Sequence, residues 1–165
     1  MLILGVDPGL AKVGYGLTEK KGNKFNCCTY NVIRTEADET NISRLEKIYN
    51  ELQDIIREYR PDHMAVEELF FNKNVKTAIK VGQARGVILL AGSQAGLSVY
   101  EYTPLQIKQA VVGYGRASKK QVQQMVKSLL NLEKIPRPDD SADALAVSIC
   151  HGNSYSVKKK WGDVL

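Results

Sequence analysis

Four carboxylates stand out by type and position: Asp7, Glu67, Asp140 and Asp143. Acids at the ends of buried strands, or inside an apolar helix, are costly to ionise unless a cation meets them. Brought to one point, the four repel strongly and call for divalent cations. A donor set made only of oxygen, without His or Cys, suits Mg²⁺, with Mn²⁺ as a substitute. Two such ions about 4 Å apart activate a water and stabilise the leaving oxygen of a phosphodiester. Metal-dependent hydrolysis of a nucleic-acid backbone is the chemistry these residues could do together.

Taken singly, most of the four have plainer readings. The apolar run Leu2-Ile3-Leu4-Gly5-Val6 is too short for a helix and reads as a buried strand. Asp7-Pro8-Gly9 ends it, and an Asp before Pro-Gly suits a turn as well as a metal site. Asp139 and Asp140 suit simple helix capping. Asp143 does not. From Ser141 to Cys150 its helix is otherwise Ala, Leu, Val, Ile, Ser and Cys, which is the composition of a buried helix. A carboxylate there wants a metal or a cation. Asp140 and Asp143 are three apart and share a face. His63 and His151 read as structural.

The elements that must bring these acids together follow from periodicity. Val13 to Leu17 reads as a second strand, Lys20-Lys21-Gly22-Asn23 as a hairpin turn and Phe25 to Val32 as a third strand, giving an antiparallel meander. Gly9, Gly14 and Gly16 match neither the P-loop nor the dinucleotide fingerprint, so they read as turn and close-packing glycines. Ile42, Leu45, Ile48, Leu52, Ile55 and Ile56 mark the first helix, with Asn41 as its cap and Arg60-Pro61 as its stop. His63 to Glu68 reads as a fourth strand. The strand–helix–strand order predicts a right-handed crossover and a parallel pairing beside the first strand. Adjacent strands lie about 4.8 Å apart, so Asp7 and Glu67 meet at one sheet edge. Glu68 points to the other face.

A long helix runs from Val75 to Ala95, with Ala78, Gly82 and Gly86 at four-residue spacing. That small-residue face admits a close backbone, either the protein's own sheet or a second subunit. Leu97 to Tyr102 reads as a fifth strand and Pro104 opens a short helix. Ser118 caps another helix along Val122, Met125, Val126, Leu129 and Leu130. A last helix starts at Asp139 or Asp140 and ends near His151. The tail Ser154–Leu165, with Lys158-Lys159-Lys160, lacks periodicity and is expected to be flexible.

A net charge of +5 across 165 residues favours an anionic partner, nucleic acid foremost. Lys73, Lys76, Lys80 and Arg85 sit in and before the long helix, and Arg116 in a Gly-rich loop. Lys119 and Lys120 occupy a first helical turn, where acids are normally preferred, so they suggest an anion site. Phe70-Phe71-Asn72-Lys73 offers a ring that could stack on an unpaired base, with Phe70 and Phe71 both open as that ring. No apolar run is long enough for a membrane span, and Met1 leads straight into the first strand, so no signal peptide is expected. Three cysteines without paired spacing suit buried thiols in a reducing cytoplasm.

Several motifs in order then carry a resemblance: Gly5-Val6-Asp7-Pro8-Gly9, Ala65-Val66-Glu67, Gly82-Gln83-Ala84-Arg85-Gly86, Lys108-Gln109-Ala110-Val111-Val112-Gly113 and Asp140-Ser141-Ala142-Asp143-Ala144-Leu145-Ala146. Together with the β-β-β-α-β-α-β order, they resemble the RuvC family of bacterial Holliday junction resolvases, within the ribonuclease H-like superfamily. The resemblance covers Leu2 to about His151. It implies an α/β ribonuclease H-like fold: a five-stranded mixed sheet, its first three strands antiparallel, flanked by helices. One domain over residues 1–153 and a basic tail over 154–165 are expected.

The resemblance further implies an endodeoxyribonuclease that binds four-way DNA junctions as a homodimer and makes two symmetric nicks leaving 5′-phosphates. Its metal-binding acids match Asp7, Glu67, Asp140 and Asp143. Its stacking ring matches Phe70, and its catalytic and DNA-binding lysines match Lys108 and Lys119. Its dimer interface matches the Asn74–Ala95 helix, and the RuvA–RuvB branch-migration complex is an implied partner. Rival readings are a ribonuclease H-like nuclease acting on RNA, a non-cleaving junction-binding module, and an actin-like ATPase, for which 165 residues hold about one of the two domains needed.

Overall fold

The computed structural model describes residues 1–69 and 75–161, with the backbone alone for residues 75–76 and 156–161. Ten elements follow in order: β1 (Leu2–Asp7), β2 (Lys12–Lys21), β3 (Lys24–Arg34), α1 (Asn41–Tyr59), β4 (His63–Glu67), α2 (Val75–Gln94), β5 (Ser98–Tyr102), α3 (Pro104–Val112), α4 (Lys119–Leu129) and α5 (Asp139–Trp161). The sheet order is β3-β2-β1-β4-β5. The β1-β2-β3 meander is antiparallel, and β4 and β5 add parallel strands to the other side of β1. This is the expected five-stranded mixed sheet.

Alternation along each strand sorts the core into two layers. Leu4 and Val6 of β1, with Met64 and Val66 of β4, pack against Ile48 and Leu52 of α1 and Ala84 and Ile88 of α2. Ile3 and Ala65 point the other way, onto α3, α4 and α5. Asp7 and Glu67 share the parity of Ile3 and Ala65 and so face α5.

Helix starts are fixed by local chemistry. Thr103 and Ser118 each close a capping box, with Gln106 and Gln121, and Pro104 fills the first helical position of α3. The cap of α1 is Thr40 rather than Asn41: its hydroxyl accepts from Ser43 N at 3.2 Å. Asn41 lies inside the helix and donates its amide to Gln83 of α2 at 2.9 Å. Thr40 has the extended backbone of a cap, φ −63° and ψ 152°, and the chain is already helical at Asn41.

Helix α5 runs ten residues beyond the expected end at His151, to Trp161. Its continuation is held by packing rather than by pattern. Tyr155 stacks edge-on to His63, with ring centroids 4.7 Å apart, and Asn153 donates its amide to Ala110 O at 3.2 Å. Tyr102 Oη lies 2.8 Å from His151 Nδ1, and His63 Nδ1 lies 2.9 Å from His151 Nε2. His151 is fully buried, and burial lowers its pKa to about 4, so it remains neutral. It is a core histidine with both ring nitrogens engaged. Among the described residues, no helix is long and apolar enough to cross a membrane.

The approach of α5 to the sheet depends on three glycines. A Cβ on Gly5 would lie 2.1 Å from Ala144 O; one on Gly14, 2.0 Å from Asp140 O; one on Gly16, 2.6 Å from a Leu145 methyl. The sheet register sets Gly5 opposite Gly16 and Asp7 opposite Gly14. The helix backbone therefore rests directly on sheet backbone, which only glycine permits. Replacing Gly5 by Ala forces α5 outward. The expected cost is about 1–3 kcal/mol of stability, the usual penalty of overpacking a filled core. Urea denaturation of Gly5→Ala measures it, and an unchanged midpoint would show that α5 does not need this contact.

Candidate active site

Parallel pairing of Val6 with Val66 sets the ends of β1 and β4 side by side, so Asp7 and Glu67 are neighbours at one sheet edge. Asp143 comes to the same point from the first turns of α5. The three line a cavity of about 310 Å³, whose other wall is built by Lys108 and Ile107 of α3 and by Lys119 and Val122 of α4. Asp140 lies one helical turn before Asp143, over Gly14, and lines a second cavity.

The electrostatics are those of crowded acids. Burial pushes Asp7 well above the usual carboxylate range, and Glu67, Asp143 and Asp140 push it further. Glu67 rises to about 7, through burial first and then the Asp143 charge, while a hydrogen bond from Asp7 and the ammonium groups of Lys119 and Lys108 hold it back. Burial also raises Asp143, and Lys119 opposes that rise. Lys119 Nζ donates to Asp143 Oδ2 at 2.7 Å and lies 3.8 Å from Asp139 Oδ2. Burial pulls the Lys119 pKa down, but Asp143, Asp139 and Asp7 outweigh it and leave the ammonium more firmly protonated. Among the described residues, no three acid, imidazole or thiol groups close on one point as a finished metal cage. Asp143 is turned to Lys119 instead. The donor set is still all carboxylate oxygen and heavily overcharged, which fits a hard divalent cation.

The other basic candidates separate. Lys108 and Lys119 line the acid cavity, and Lys80 lines the second one. Arg116 and Lys120 are exposed around the start of α4. Arg85 forms an ion pair with Glu101 of β5 on the opposite face of the sheet, where α2 packs. Phe70 and Lys73 lie outside the described residues, as does the side chain of Lys76. Two basic residues that the sequence did not single out, Lys12 and Arg44, line the cavity beside Asp140. Only the tertiary fold brings them there, since they start a strand and a helix with no shared motif.

Comparison with known proteins matches this geometry to a family. A family model described as crossover junction endodeoxyribonuclease RuvC matches residues 3–151. The chain belongs to the RuvC family. A RuvC from Halothermothrix orenii is 67% identical over 162 residues, covering 98% of both chains. A Thermus thermophilus RuvC structure superposes with a TM-score of 0.88 at 38% identity, covering 95% of this chain and 96% of that one. A T. thermophilus RuvC in complex with a Holliday junction substrate gives a TM-score of 0.90 at 37% identity, over the same shares. The resemblance carried by the RuvC motifs in the sequence is therefore a family membership.

In this RuvC-family chain the raised acids bear on stability with a definite sign. Glu67 binds its proton more tightly folded than unfolded, so the folded protein loses stability as pH rises from about 4.5 through about 7. Asp7 acts in the same direction. Metal-free protein should show a melting temperature that falls from pH 5 to pH 8. Mg²⁺ should restore it at pH 8, and Asp7→Asn should flatten the slope. Thermal denaturation with chelator and with Mg²⁺ checks this, and a pH-independent midpoint would mean that the acids do not share one field.

Proposed function

We propose that this chain is a structure-specific endodeoxyribonuclease that resolves four-way DNA junctions, making paired, symmetric nicks that leave 5′-phosphates. The single observation that carries the reading is the cavity with Asp7, Glu67 and Asp143 on one wall and Lys108 and Lys119 on the other. Membership of the RuvC family and the likeness to a RuvC in complex with a Holliday junction substrate support the junction as substrate. Of the three cysteines expected to be buried only Cys150 is, Cys28 being exposed; unpaired thiols suit a reducing cytoplasm.

Asp7, Glu67, Asp140 and Asp143 would hold Mg²⁺, two ions per site, with Mn²⁺ as a substitute. Bound there, the ions would supply an activated water and neutralise the leaving oxygen of the phosphodiester. The chain's own residues do the rest. The acids keep the cavity closed to anions until cations neutralise them. Lys108 and Lys119 set positive charge where non-bridging phosphate oxygens arrive and where negative charge grows during displacement. The Lys119 ammonium can serve Asp143, as it does here, or a phosphate oxygen. Burial of the cavity floor by Ile107 and Val122 strengthens each of these interactions.

A homodimer through α2 completes the reading. Ala84, Ile88 and Ala91 face the sheet, and a Cβ on Gly92 would strike Met64 Sδ at 2.5 Å. The opposite stripe of Ile79, Gly82, Gly86 and Leu90 does not touch the sheet. Ile79 is 57% and Leu90 50% exposed, and a Cβ on Gly86 would meet nothing within 4 Å. The small-residue face thus points away from the protein's own sheet, which favours a second subunit. A two-fold axis would present two identical sites to the two equivalent strands of a junction.

A nicking assay tests the reading, with a mobile synthetic four-way junction, plain duplex and an RNA–DNA hybrid, each with Mg²⁺ and with chelator. Paired, ligatable nicks in the junction alone are expected. Asp7→Asn and Asp143→Asn should each lose about a hundredfold or more of the rate, the scale of removing one preorganised group from a transition state. Junction binding without cutting, or cutting of the hybrid instead, would overturn it. Leu90→Glu should convert the dimer to monomer by light scattering on a sizing column. A dimer that survives both Leu90→Glu and Ile79→Glu would place the interface elsewhere.

A further inference from the structure

The cavity beside Asp140 is a second, separately built site. It has a volume of about 420 Å³ and is bounded by the Gly9–Lys12 turn, by Arg44 of α1 and by Lys80 of α2. Three basic residues from three elements line it, together with one acid, Asp140. Among the described residues, none of the three makes an ion pair. Surface lysines ordinarily find acids or solvent singly; three elements turning cations into one concavity leave net positive charge in need of an anion.

The site is preorganised. Arg44 Nε donates to Thr35 Oγ1 at 2.8 Å, and that hydroxyl donates to Leu10 O at 2.6 Å. Thr35 N also donates to Ala11 O at 3.1 Å. Thr35 is buried, so the guanidinium is tethered through an inner hydroxyl to the turn that directly follows Asp7. The turn is itself tight: a Cβ on Gly9 would lie 2.2 Å from Lys12 O. With Nε committed to Thr35, the guanidinium retains its terminal N–H groups for the cavity, a planar fork suited to phosphate oxygens.

We infer that the Lys12–Arg44–Lys80 cavity holds a phosphodiester of the cleaved strand adjacent to the one being cut. Asp140 lines this cavity and its charge reaches Asp7 and Asp143 of the other, so a strand whose scissile phosphate sits by Asp7 and Asp143 would run past Asp140 onto these cations. A second phosphate fixed there sets the scissile bond at its register along the strand, before any base is read. Lys12, Arg44 and Lys80 are thus positioning residues: they touch a neighbouring phosphate and not the reacting one. This assignment rests on the nuclease reading above.

The test uses the full chain and a four-way DNA junction in which single phosphates flanking the cut are replaced, one position at a time, by neutral methylphosphonates. Binding is measured in chelator across a range of salt, and nicking in Mg²⁺. With wild type, one methylphosphonate position near the cut should weaken binding about tenfold, the scale of a lost charge-assisted contact. Lys12→Ala, whose side chain is exposed and forms no ion pair among the described residues, should weaken binding of the unmodified junction similarly and lower the salt slope by about one. It should also abolish the penalty at that one position and at no other. Arg44→Gln should do the same, and Arg44→Lys should rescue the salt slope but not the full affinity. Wild-type affinity and salt slope in Lys12→Ala and Arg44→Gln, with nicking intact, would overturn the subsite and leave the nuclease reading standing. Failure of wild type to bind or cut the junction would sink both.

Discussion

Backbone contact between α5 and the sheet is the constraint on which the site depends. A helix normally packs on a sheet through side chains. Here the carbonyls of Asp140 and Ala144 come down on Gly14 and Gly5, where any Cβ would collide. The strand register places Gly14 opposite Asp7. One packing choice therefore settles where two acids of a helix stand relative to two acids of a sheet. Without it, Asp143 would sit a side chain's thickness further out, and the carboxylates would lose their shared field.

That field explains why the lysines are where they are. Burial and mutual repulsion raise Asp7, Glu67 and Asp143 together. Lys119 enters from the first turn of α4, a place where the helix dipole disfavours a cation. The acids outweigh the dipole, and the Lys119 ammonium settles 2.7 Å from Asp143. A locally unfavourable residue at a helix start is stabilised by a long-range partner, and such local inconsistency is what a working site looks like in a sequence.

Most of the architecture was legible because it is periodic or punctuated. The buried run before Asp7-Pro8-Gly9, the stripe of α1, the Ser118 cap and the close-packing role of Gly14 and Gly16 each have a local signature, and each appears in the fold. Asp143 was legible by exclusion, as the charge in an otherwise apolar stretch. What escaped was set by distant partners. Asn41 reaches across to Gln83 of α2 while Thr40 takes the cap. Helix α5 outruns its pattern because Tyr155 finds His63 and His151. Arg85 looked like one basic residue among several until Glu101 of the neighbouring β5 met it. Lys12 and Arg44 share a cavity only through the fold. Periodicity speaks for one element at a time, and these four facts belong to pairs.

The glycine contacts also divide the cavity into halves of unequal stiffness. The acids stand on β1, β4 and α5, whose backbones touch and cannot slide without a clash. Lys108 and Lys119 stand on α3 and α4, which reach α5 through Ile107, Val111, Val122 and Val126. Side-chain layers of that kind tolerate small shears that backbone contacts do not. The carboxylate wall is an anvil, and the cationic wall is the part free to adjust to whatever is laid against it.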